Sequence, residues 1–138
     1  MLQHTIAKIA ALATVTGLWV ATGPIAAQGA NESALRAKVT QWVKEGKTEA
    51  DENEQVSIRF VDLNADGMPE ALVVIRGATS CGSRSCSAFV LDLRGPAARS
   101  IGDFTAHKLE ALSSRTGGWR DISVNRHRIR FRGGQYGG

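Results

Sequence analysis

The chain has 138 residues, 17 of them basic and 13 acidic, so it carries a net charge of +4. This length is enough for one hydrophobic core and too short for two independent ones, and so modest a charge does not require a nucleic-acid partner. The charge is uneven, because residues 28–75 hold 5 basic and 9 acidic side chains whereas residues 76–138 hold 11 and 4. The second part would suit an anionic partner.

The first 27 residues have the pattern of a secretory signal peptide. Their only charge is Lys8, which is followed by an apolar segment broken at Pro24 and by small residues before a polar stretch. We expect cleavage after Ala27, with cleavage after Gly29 as the alternative and an uncleaved membrane anchor as the competing interpretation. Export would leave residues 28–138 as a single periplasmic or secreted domain without a membrane span.

One helix is predicted over about residues 32–44, because apolar residues recur there at helical spacing. The apolar stripe consists of Leu35, Val39, Trp42 and Val43. Asn31 is the expected N-cap and Gly46 the expected stop signal. We expect Trp42 to be a packing residue rather than a ligand contact.

Short strands are predicted along the rest of the chain, because apolar or alternating runs are separated there by Gly, Pro and Asn. The expected strands are 57–62, 70–76, 87–93, 100–104, 107–112, 121–124 and 126–132. The run at 70–76 is almost continuously apolar, which is typical of a central strand. The predicted fold class is mainly β (α+β), an antiparallel β meander or sandwich-like sheet with one N-terminal helix.

An oxygen-rich loop, Asp62-Leu-Asn-Ala-Asp-Gly-Met-Pro-Glu70, separates the first two predicted strands. Oxygens at alternate positions, a turn glycine and a later carboxylate suit a hard cation, so we predict a structural calcium site. The expected ligands are Asp62, Asn64, Asp66 and Glu70 through their side chains and Met68 through its carbonyl. An EF-hand would place a glutamate where Val73 stands, so we expect a Kd of about 10⁻⁴ to 10⁻³ M. A plain turn stabilised by Asn, Asp and Gly accounts for the same residues.

Cys81 and Cys86 are the only cysteines, and both lie in the part predicted to be exported. An even cysteine count in an oxidising compartment predicts a disulfide, here one that closes a six-residue ring at a hairpin tip. Redox pairs favour two intervening residues, and no nearby His or Cys would complete a zinc shell. The expected contribution of the bridge to stability is about 2 kcal/mol.

A run of alternating arginines, Arg126-His-Arg-Ile-Arg-Phe-Arg132, lies near the end of the chain. In a strand, Arg126, Arg128, Arg130 and Arg132 would share one face. Such a row could hold phosphate, lipid headgroups or an acidic protein surface. The alternative is a solvated face that discourages edge-to-edge aggregation. Gly133-Gly134 is then expected to form a two-residue turn into Gln135-Tyr136.

Three motifs together resemble a group of small exported bacterial proteins of unknown function. They are Asp-x-Asn-x-Asp-Gly-x-x-Glu at Asp62–Glu70, Cys-Gly-x-x-x-Cys at Cys81–Cys86, and Thr-Gly-Gly-Trp-Arg-Asp at Thr116–Asp121. The first motif is also similar to the calcium loops of FG-GAP and VCBS-type β-propeller repeats. That resemblance implies ligand roles for Asp62, Asn64, Asp66 and Glu70, although Glu70 stands where aspartate is more usual.

The functional prediction is an exported, non-catalytic binding or structural module for an unknown protein or envelope component. No enzyme is expected, because His107 and His127 lie outside any nucleophile or zinc motif and no glycine-rich phosphate loop occurs. The alternative is a periplasmic inhibitor of a cell-wall hydrolase, similar to lysozyme inhibitors, in which the loop Ser80–Cys86 blocks a cleft.

Overall fold

The computed structural model describes residues 24–47 and 53–137. Most of the predicted signal peptide, residues 1–23, lies outside the described residues, so that assignment stays a prediction. Within the described ranges, no helix combines the length and the apolar character needed to cross a bilayer.

The described chain folds into one helix followed by nine β-strands. The helix α1 (Pro24–Trp42) continues into a π-helical turn (Val43–Lys47). The strands are β1 (Gln55–Val61), β2 (Glu70–Arg76), β3 (Cys86–Asp92), β4 (Arg99–Ala106), β5 (Leu109–Thr116), β6 (Trp119–Val124), β7 (His127–Ile129), β8 (Phe131–Arg132) and β9 (Gln135–Tyr136). The predicted fold class, mainly β with antiparallel sheets and one N-terminal helix, is confirmed.

The strands form three antiparallel units. β1-β2-β3-β4 is a four-stranded meander, β5-β6-β7 is a three-stranded sheet, and β8-β9 is a hairpin. β2 lies between β1 and β3 and is buried on both faces from Glu70 to Ile75. The continuous apolar run therefore marks a central strand, as its pattern predicted.

The four-stranded sheet has a hydrophobic cluster on each face. Alternation along β2 turns Ala71, Val73 and Ile75 towards the helix, and Leu72 and Val74 towards the second sheet. The helix-side cluster also contains Leu35, Val39, Trp42, Phe89, Leu91 and Leu93. The cluster between the sheets also contains Leu63, Cys86, Ala88, Val90, Ile101, Ala106, Leu109, Ile122, Val124 and Tyr136. The described fold thus has three layers: helix, four-stranded sheet and three-stranded sheet.

The predicted apolar stripe of α1 is confirmed, because Leu35, Val39 and Trp42 are all buried and Trp42 packs edge-on against Phe89. The predicted start of the helix is wrong. The helical backbone begins at Pro24 rather than after an N-cap at residue 31. Proline suits the first helical position, and the alanines that follow favour helix. The helix ends as expected near Gly46, whose φ is 76°.

The single strand predicted over residues 126–132 is wrong. Asn125 and Arg126, with φ values of 50° and 73°, form a two-residue turn between β6 and β7, and Arg130 separates β7 from β8. The turn is held in place because Asn125 Oδ1 accepts the N–H groups of His107 at 2.8 Å and Lys108 at 3.3 Å. Asparagine readily adopts positive φ, so turn geometry overrides the alternating pattern.

The turn predicted at Gly133-Gly134 is confirmed. Their φ values are 59° and 87°, and the turn pairs Arg132 with Gln135 across the β8-β9 hairpin. Two consecutive residues with positive φ match the twist of a tight hairpin, and glycine adopts them without steric cost.

Candidate functional site

The oxygen-rich loop, residues 62–70, joins β1 to β2 and is held by hydrogen bonds from its own backbone. The Asp62 carboxylate accepts the N–H groups of Asp66 at 3.3 Å and Gly67 at 2.9 Å. The Asn64 side-chain oxygen accepts the Asp66 N–H at 3.1 Å, and the Asp66 carboxylate accepts the Met68 N–H at 2.8 Å. These contacts are those of a turn stabilised by Asn and Asp side chains.

Glu70 reaches into this loop from the first residue of β2. Its side chain is fully buried, its Oε2 accepts the Leu63 N–H at 2.8 Å, and its Oε1 has no hydrogen-bond partner among the described residues. Burial, assisted by the carboxylates of Asp66 and Asp62, raises the pKa of Glu70 from 4.5 to about 7, although the Leu63 N–H opposes the rise. Glu70 therefore titrates close to neutral pH.

Arg94 connects the loop to the end of β3. Its guanidinium lies 3.7 Å from an Asp66 carboxylate oxygen and 2.7 Å from an Asp92 oxygen, and Arg99 lies 3.1 Å from the same Asp92 oxygen. The hydrogen bond from Arg94 is the main reason why the pKa of the Asp92 carboxyl lies well below its usual range. Arg94 also lies 5.9 Å from the centre of the Trp119 ring, within cation–π distance.

The hairpin between β5 and β6 docks directly on the loop. The Leu63 carbonyl accepts the backbone N–H of Arg120 at 2.7 Å and a guanidinium N–H of Arg115 at 3.3 Å. The Asp62–Glu70 and Thr116–Asp121 motifs, which are 46 residues apart in sequence, are thus in direct contact. This contact was not predictable from the sequence, because a backbone hydrogen bond leaves no signal in residue type.

The second of these motifs is stabilised by Asp121. Its buried carboxylate accepts the hydroxyls of Ser114 and Thr116, both at 2.7 Å. These two hydrogen bonds lower the pKa of Asp121. Trp119, between the turn and Asp121, stacks on Phe131 with ring centres 3.9 Å apart. The motif is therefore a packed hairpin that supports the loop.

The oxygen-rich loop has some, but not all, of the features of a calcium site. The buried, unpartnered Oε1 of Glu70 is an oxygen that a cation would satisfy. In the ranges that the structure describes, however, no three His, Cys, Asp or Glu side chains are grouped so as to hold a metal ion. The hydrogen bonds within the loop fit a plain turn, and the five-ligand calcium site stays a prediction.

The predicted disulfide between Cys81 and Cys86 is present, and it closes a short loop that we call the stapled loop, residues 81–86. Inside the ring, the Gly82 N–H donates to the Ser85 carbonyl at 2.8 Å. At its base, the Ser87 N–H donates to the Ser80 carbonyl at 2.7 Å. The three residues at the tip, Gly82, Ser83 and Arg84, are exposed. A covalent bond and two backbone hydrogen bonds therefore fix the backbone that presents Arg84.

A second clamp on the stapled loop was not predicted from sequence. Just before β1, Glu54 Oε1 accepts the Thr79 N–H at 2.8 Å, the Thr79 hydroxyl at 2.6 Å and the Ser80 N–H at 2.6 Å. Glu54 Oε2 accepts the Ser80 hydroxyl. Desolvation raises the pKa of Glu54, but the hydrogen bonds from Ser80 and Thr79 outweigh it and hold the pKa at about 2. Glu54 lay in a polar segment without any pattern that predicts a partner 25 residues away.

Replacing Glu54 by glutamine is expected to loosen the stapled loop without unfolding the sheets. A neutral amide accepts these hydrogen bonds more weakly than a carboxylate does. Because the folded-state pKa of Glu54 is lowered from 4.5 to about 2, its stabilisation is present above about pH 4.5 and is lost as the pH falls through about 2. Hydrogen exchange at neutral pH should show faster exchange of the Thr79 and Ser80 amides in Glu54→Gln. Unchanged exchange of both amides would contradict this role.

The predicted anion-binding arginines are only partly brought together. Arg128, Arg130 and Arg132 line an open groove of about 510 Å³ beside the β8-β9 turn, which we call the arginine groove. Arg126 lies in the preceding turn and is not one of the lining residues. The assignment of anion binding to these residues stays a prediction.

Comparison with protein-family models, curated proteins and solved structures finds no match to this chain. Function is therefore inferred from the geometry of individual sites.

Proposed function

We propose that the chain is an exported, non-catalytic binding module and that the stapled loop is its contact element. One observation carries this proposal. The loop is closed by the Cys81–Cys86 disulfide, held at its base by Glu54, and leaves Gly82, Ser83 and Arg84 exposed at its tip. The partner would be an unknown protein or envelope component with an acidic contact surface, rather than nucleic acid.

A rigid exposed loop suits binding for a thermodynamic reason. Association must overcome the entropy lost when flexible loops and side chains become ordered, and a loop that is already fixed avoids most of that loss. Arginine at the tip offers five donors in a planar fork, and arginine is common among residues that dominate binding energy. The only side chain in the stapled loop with a net charge is Arg84, so it is the expected anchor.

Two features support a non-catalytic role. His107 and His127 are exposed, and among the described residues neither imidazole has a hydrogen-bonded Ser, Asp or Glu partner that would make it a general base. The buried carboxylate of Asp121 accepts two hydroxyls and so acts as a structural acceptor. Export is supported by the predicted signal peptide and by a disulfide, which persists in oxidising compartments.

Inhibition of a cell-wall hydrolase is the second candidate function, and Arg84 is the observation that favours it. Glycosidase clefts contain a pair of carboxyl groups that flank the scissile bond. A narrow loop with one arginine at its tip could enter such a cleft and pair with those carboxylates. Hydrolysis of purified peptidoglycan by a lysozyme should then slow in the presence of the protein and recover with Arg84→Glu. If the protein does not slow peptidoglycan hydrolysis, it is not an inhibitor of this hydrolase, and the proposal of a binding module with another partner stands.

Affinity capture from envelope extract tests the lead proposal. The baits are the oxidised protein, Arg84→Glu in the stapled loop, and Arg132→Glu in the arginine groove as the matched control. Both substitutions change an exposed arginine to the same acid. The proposal expects a protein retained by the wild type and by Arg132→Glu but lost with Arg84→Glu. Equal retention by all three baits would show that the stapled loop is not the contact element.

We further propose that the oxygen-rich loop, residues 62–70, binds calcium weakly as a structural ion. With a Kd of about 10⁻⁴ to 10⁻³ M, 10 mM calcium should raise the free energy of unfolding by roughly 1.4 to 2.7 kcal/mol over chelator. The increase should be lost in the double variant Asp62→Ala, Asp66→Ala and kept in the exposed control Asp103→Ala. If the double variant responds to calcium as the wild type does, this loop is not the calcium site. If the wild type does not respond to calcium, the loop is a plain turn.

A further inference from the structure

We propose that a small pocket between the edge strand β1 and the start of β5 binds a phosphate group. Its polar lining residues are Ser57, Arg59, Arg76, His107 and Lys108, and we call it the basic pocket. These residues come from β1, from the end of β2 and from the turn between β4 and β5. No run of basic residues marks the site in the sequence, because only the fold brings them together. The proposal does not depend on the stapled loop being a contact element.

The pocket lies beside the edge strand β1, on the face of the four-stranded sheet that meets the second sheet. Ser57 and Arg59 alternate on β1, opposite Val74 and Leu72, and so project to the face that carries the cluster between the sheets. The floor is apolar and consists of Leu72, Val74 and Leu109, all buried. β1 pairs with β2 and has no second neighbour among the described strands, which leaves this side of the pocket open to ligand.

The basic pocket is small, with a volume of about 100 Å³. A single phosphate group fits this space. A larger phosphate ester or a lipid headgroup would place its phosphate in the pocket and the remainder outside the open side at β1. The arginine groove, at about 510 Å³, is several times larger.

The walls of the basic pocket are fixed before any ligand binds. Arg76 Nη2 donates to the His107 carbonyl at 2.9 Å, which anchors that guanidinium beside the turn. Asn125 Oδ1 accepts the backbone N–H groups of both His107 and Lys108, at 2.8 and 3.3 Å. Pre-positioned donors reduce the ordering cost of binding. The turn between β4 and β5 therefore presents its two basic side chains from a fixed backbone.

The charge of the pocket is only partly compensated by the protein. Lys108 pairs with Glu110 at 2.9 Å, but Arg59 and Arg76 have no acidic partner within 4 Å among the described residues. Guanidinium groups and hydroxyls are donors that match phosphate oxygens, and the apolar floor strengthens such contacts by lowering the local dielectric. Four or five donor groups around one ligand suit the several oxygens of phosphate better than the two of a carboxylate.

Titration of the purified protein with inorganic phosphate tests the proposal. Ionic strength is held constant with sodium chloride, because free salt screens surface charges. Phosphate should shift the NMR signals of the His107 and Lys108 amides in a saturable way.

Arg59→Gln should weaken the affinity for phosphate about tenfold, the effect of losing one charge-assisted hydrogen bond. The matched control, Arg36→Gln at an exposed position on α1, should bind as the wild type does. Arg59 is exposed and has no hydrogen bond or ion pair with another described residue, so its variant should keep the wild-type unfolding temperature.

A second arm identifies the source of the phosphate. Vesicles of phosphatidylglycerol are compared with vesicles of phosphatidylcholine, using the same two variants. Binding of inorganic phosphate that depends on Arg59 supports a free phosphate or phosphate ester as ligand. Selective binding to phosphatidylglycerol that depends on Arg59 supports a lipid headgroup. Equal losses in Arg59→Gln and Arg36→Gln would overturn the proposal, since binding would then reflect general positive charge. Absence of both phosphate and vesicle binding would also overturn it.

Discussion

Replacing Glu70 by glutamine is expected to remove a fall in stability of about 3 kcal/mol that the wild type should undergo between pH 4.5 and pH 7.5. The pKa of the fully buried Glu70 carboxyl is raised from 4.5 to about 7, chiefly by burial. An acid with a raised folded-state pKa holds its proton more tightly in the folded chain. Its contribution to stability is therefore fully present below about pH 4.5 and is lost as the pH rises through about 7.

Urea unfolding over this pH range, with chelator present to exclude metal ions, measures the effect. Glutamine keeps an acceptor for the Leu63 N–H but cannot ionise, so Glu70→Gln should be the more stable protein above pH 7. Asp103→Asn, at an exposed position on β4, is the matched control and should retain the wild-type pH profile. An undiminished fall in stability in Glu70→Gln would show that another group is responsible.

Replacing Trp42 by alanine should lower the free energy of unfolding by about 4 kcal/mol, in the range measured for large aromatic residues truncated in cores. Trp42 is 6% exposed and contributes to the cluster that joins α1 to the four-stranded sheet. Its ring lies 5.0 Å from that of Phe89 in an edge-on arrangement. Truncation removes this contact and leaves a cavity between the helix and the sheet.

Urea unfolding at a single pH measures the change. The neighbouring residue Gln41 is exposed, and its side chain hydrogen-bonds to no described residue other than Glu45, so Gln41→Ala should cost less than about 0.5 kcal/mol. A loss below about 1 kcal/mol in Trp42→Ala would mean that the helix contributes little to the stability of the sheet. It would contradict the three-layer description of the core.

Local patterns predicted most of the fold. The continuous apolar run at 70–76 coincides with β2 at Glu70–Arg76, and the glycine pair at 133–134 forms the expected hairpin turn. The apolar stripe of the helix faces the sheet as expected. In each case the residues that determine the structure are neighbours in sequence, so the spacing of apolar residues and the conformational preferences of turn residues are sufficient to predict it. The errors fell at element boundaries, at Pro24 and at residues 125–130.

The candidate sites depend on contacts between residues that are distant in sequence, and these were not predictable from local patterns. The clamp of Glu54 on Thr79 and Ser80 spans 25 residues, and the basic pocket joins Arg59 to His107. The turn at Asn125 broke the expected strand because its side chain is bonded to the turn between β4 and β5. Alternation of residue types carries no information about such tertiary partners.

The stapled loop combines what was predictable with what was not. Its disulfide followed from the cysteine count, and its clamp at Glu54 became visible only in the fold. Together they turn a six-residue segment with an exposed tip into a fixed support for Arg84. Losing the disulfide should lower the free energy of unfolding by only about 2 kcal/mol. The greater effect of the disulfide should therefore be on the shape of the stapled loop.

The most direct test of the account is the affinity of the protein for the envelope component that it captures, measured by titration calorimetry. The account predicts that Arg84→Glu weakens this affinity at least 30-fold, equivalent to about 2 kcal/mol, as expected when a central arginine is lost. The double variant Cys81→Ser, Cys86→Ser should also weaken this affinity, whereas Arg132→Glu should not. An unchanged affinity in Arg84→Glu, together with a large loss in Arg132→Glu, would contradict the account and would assign binding to the arginine groove.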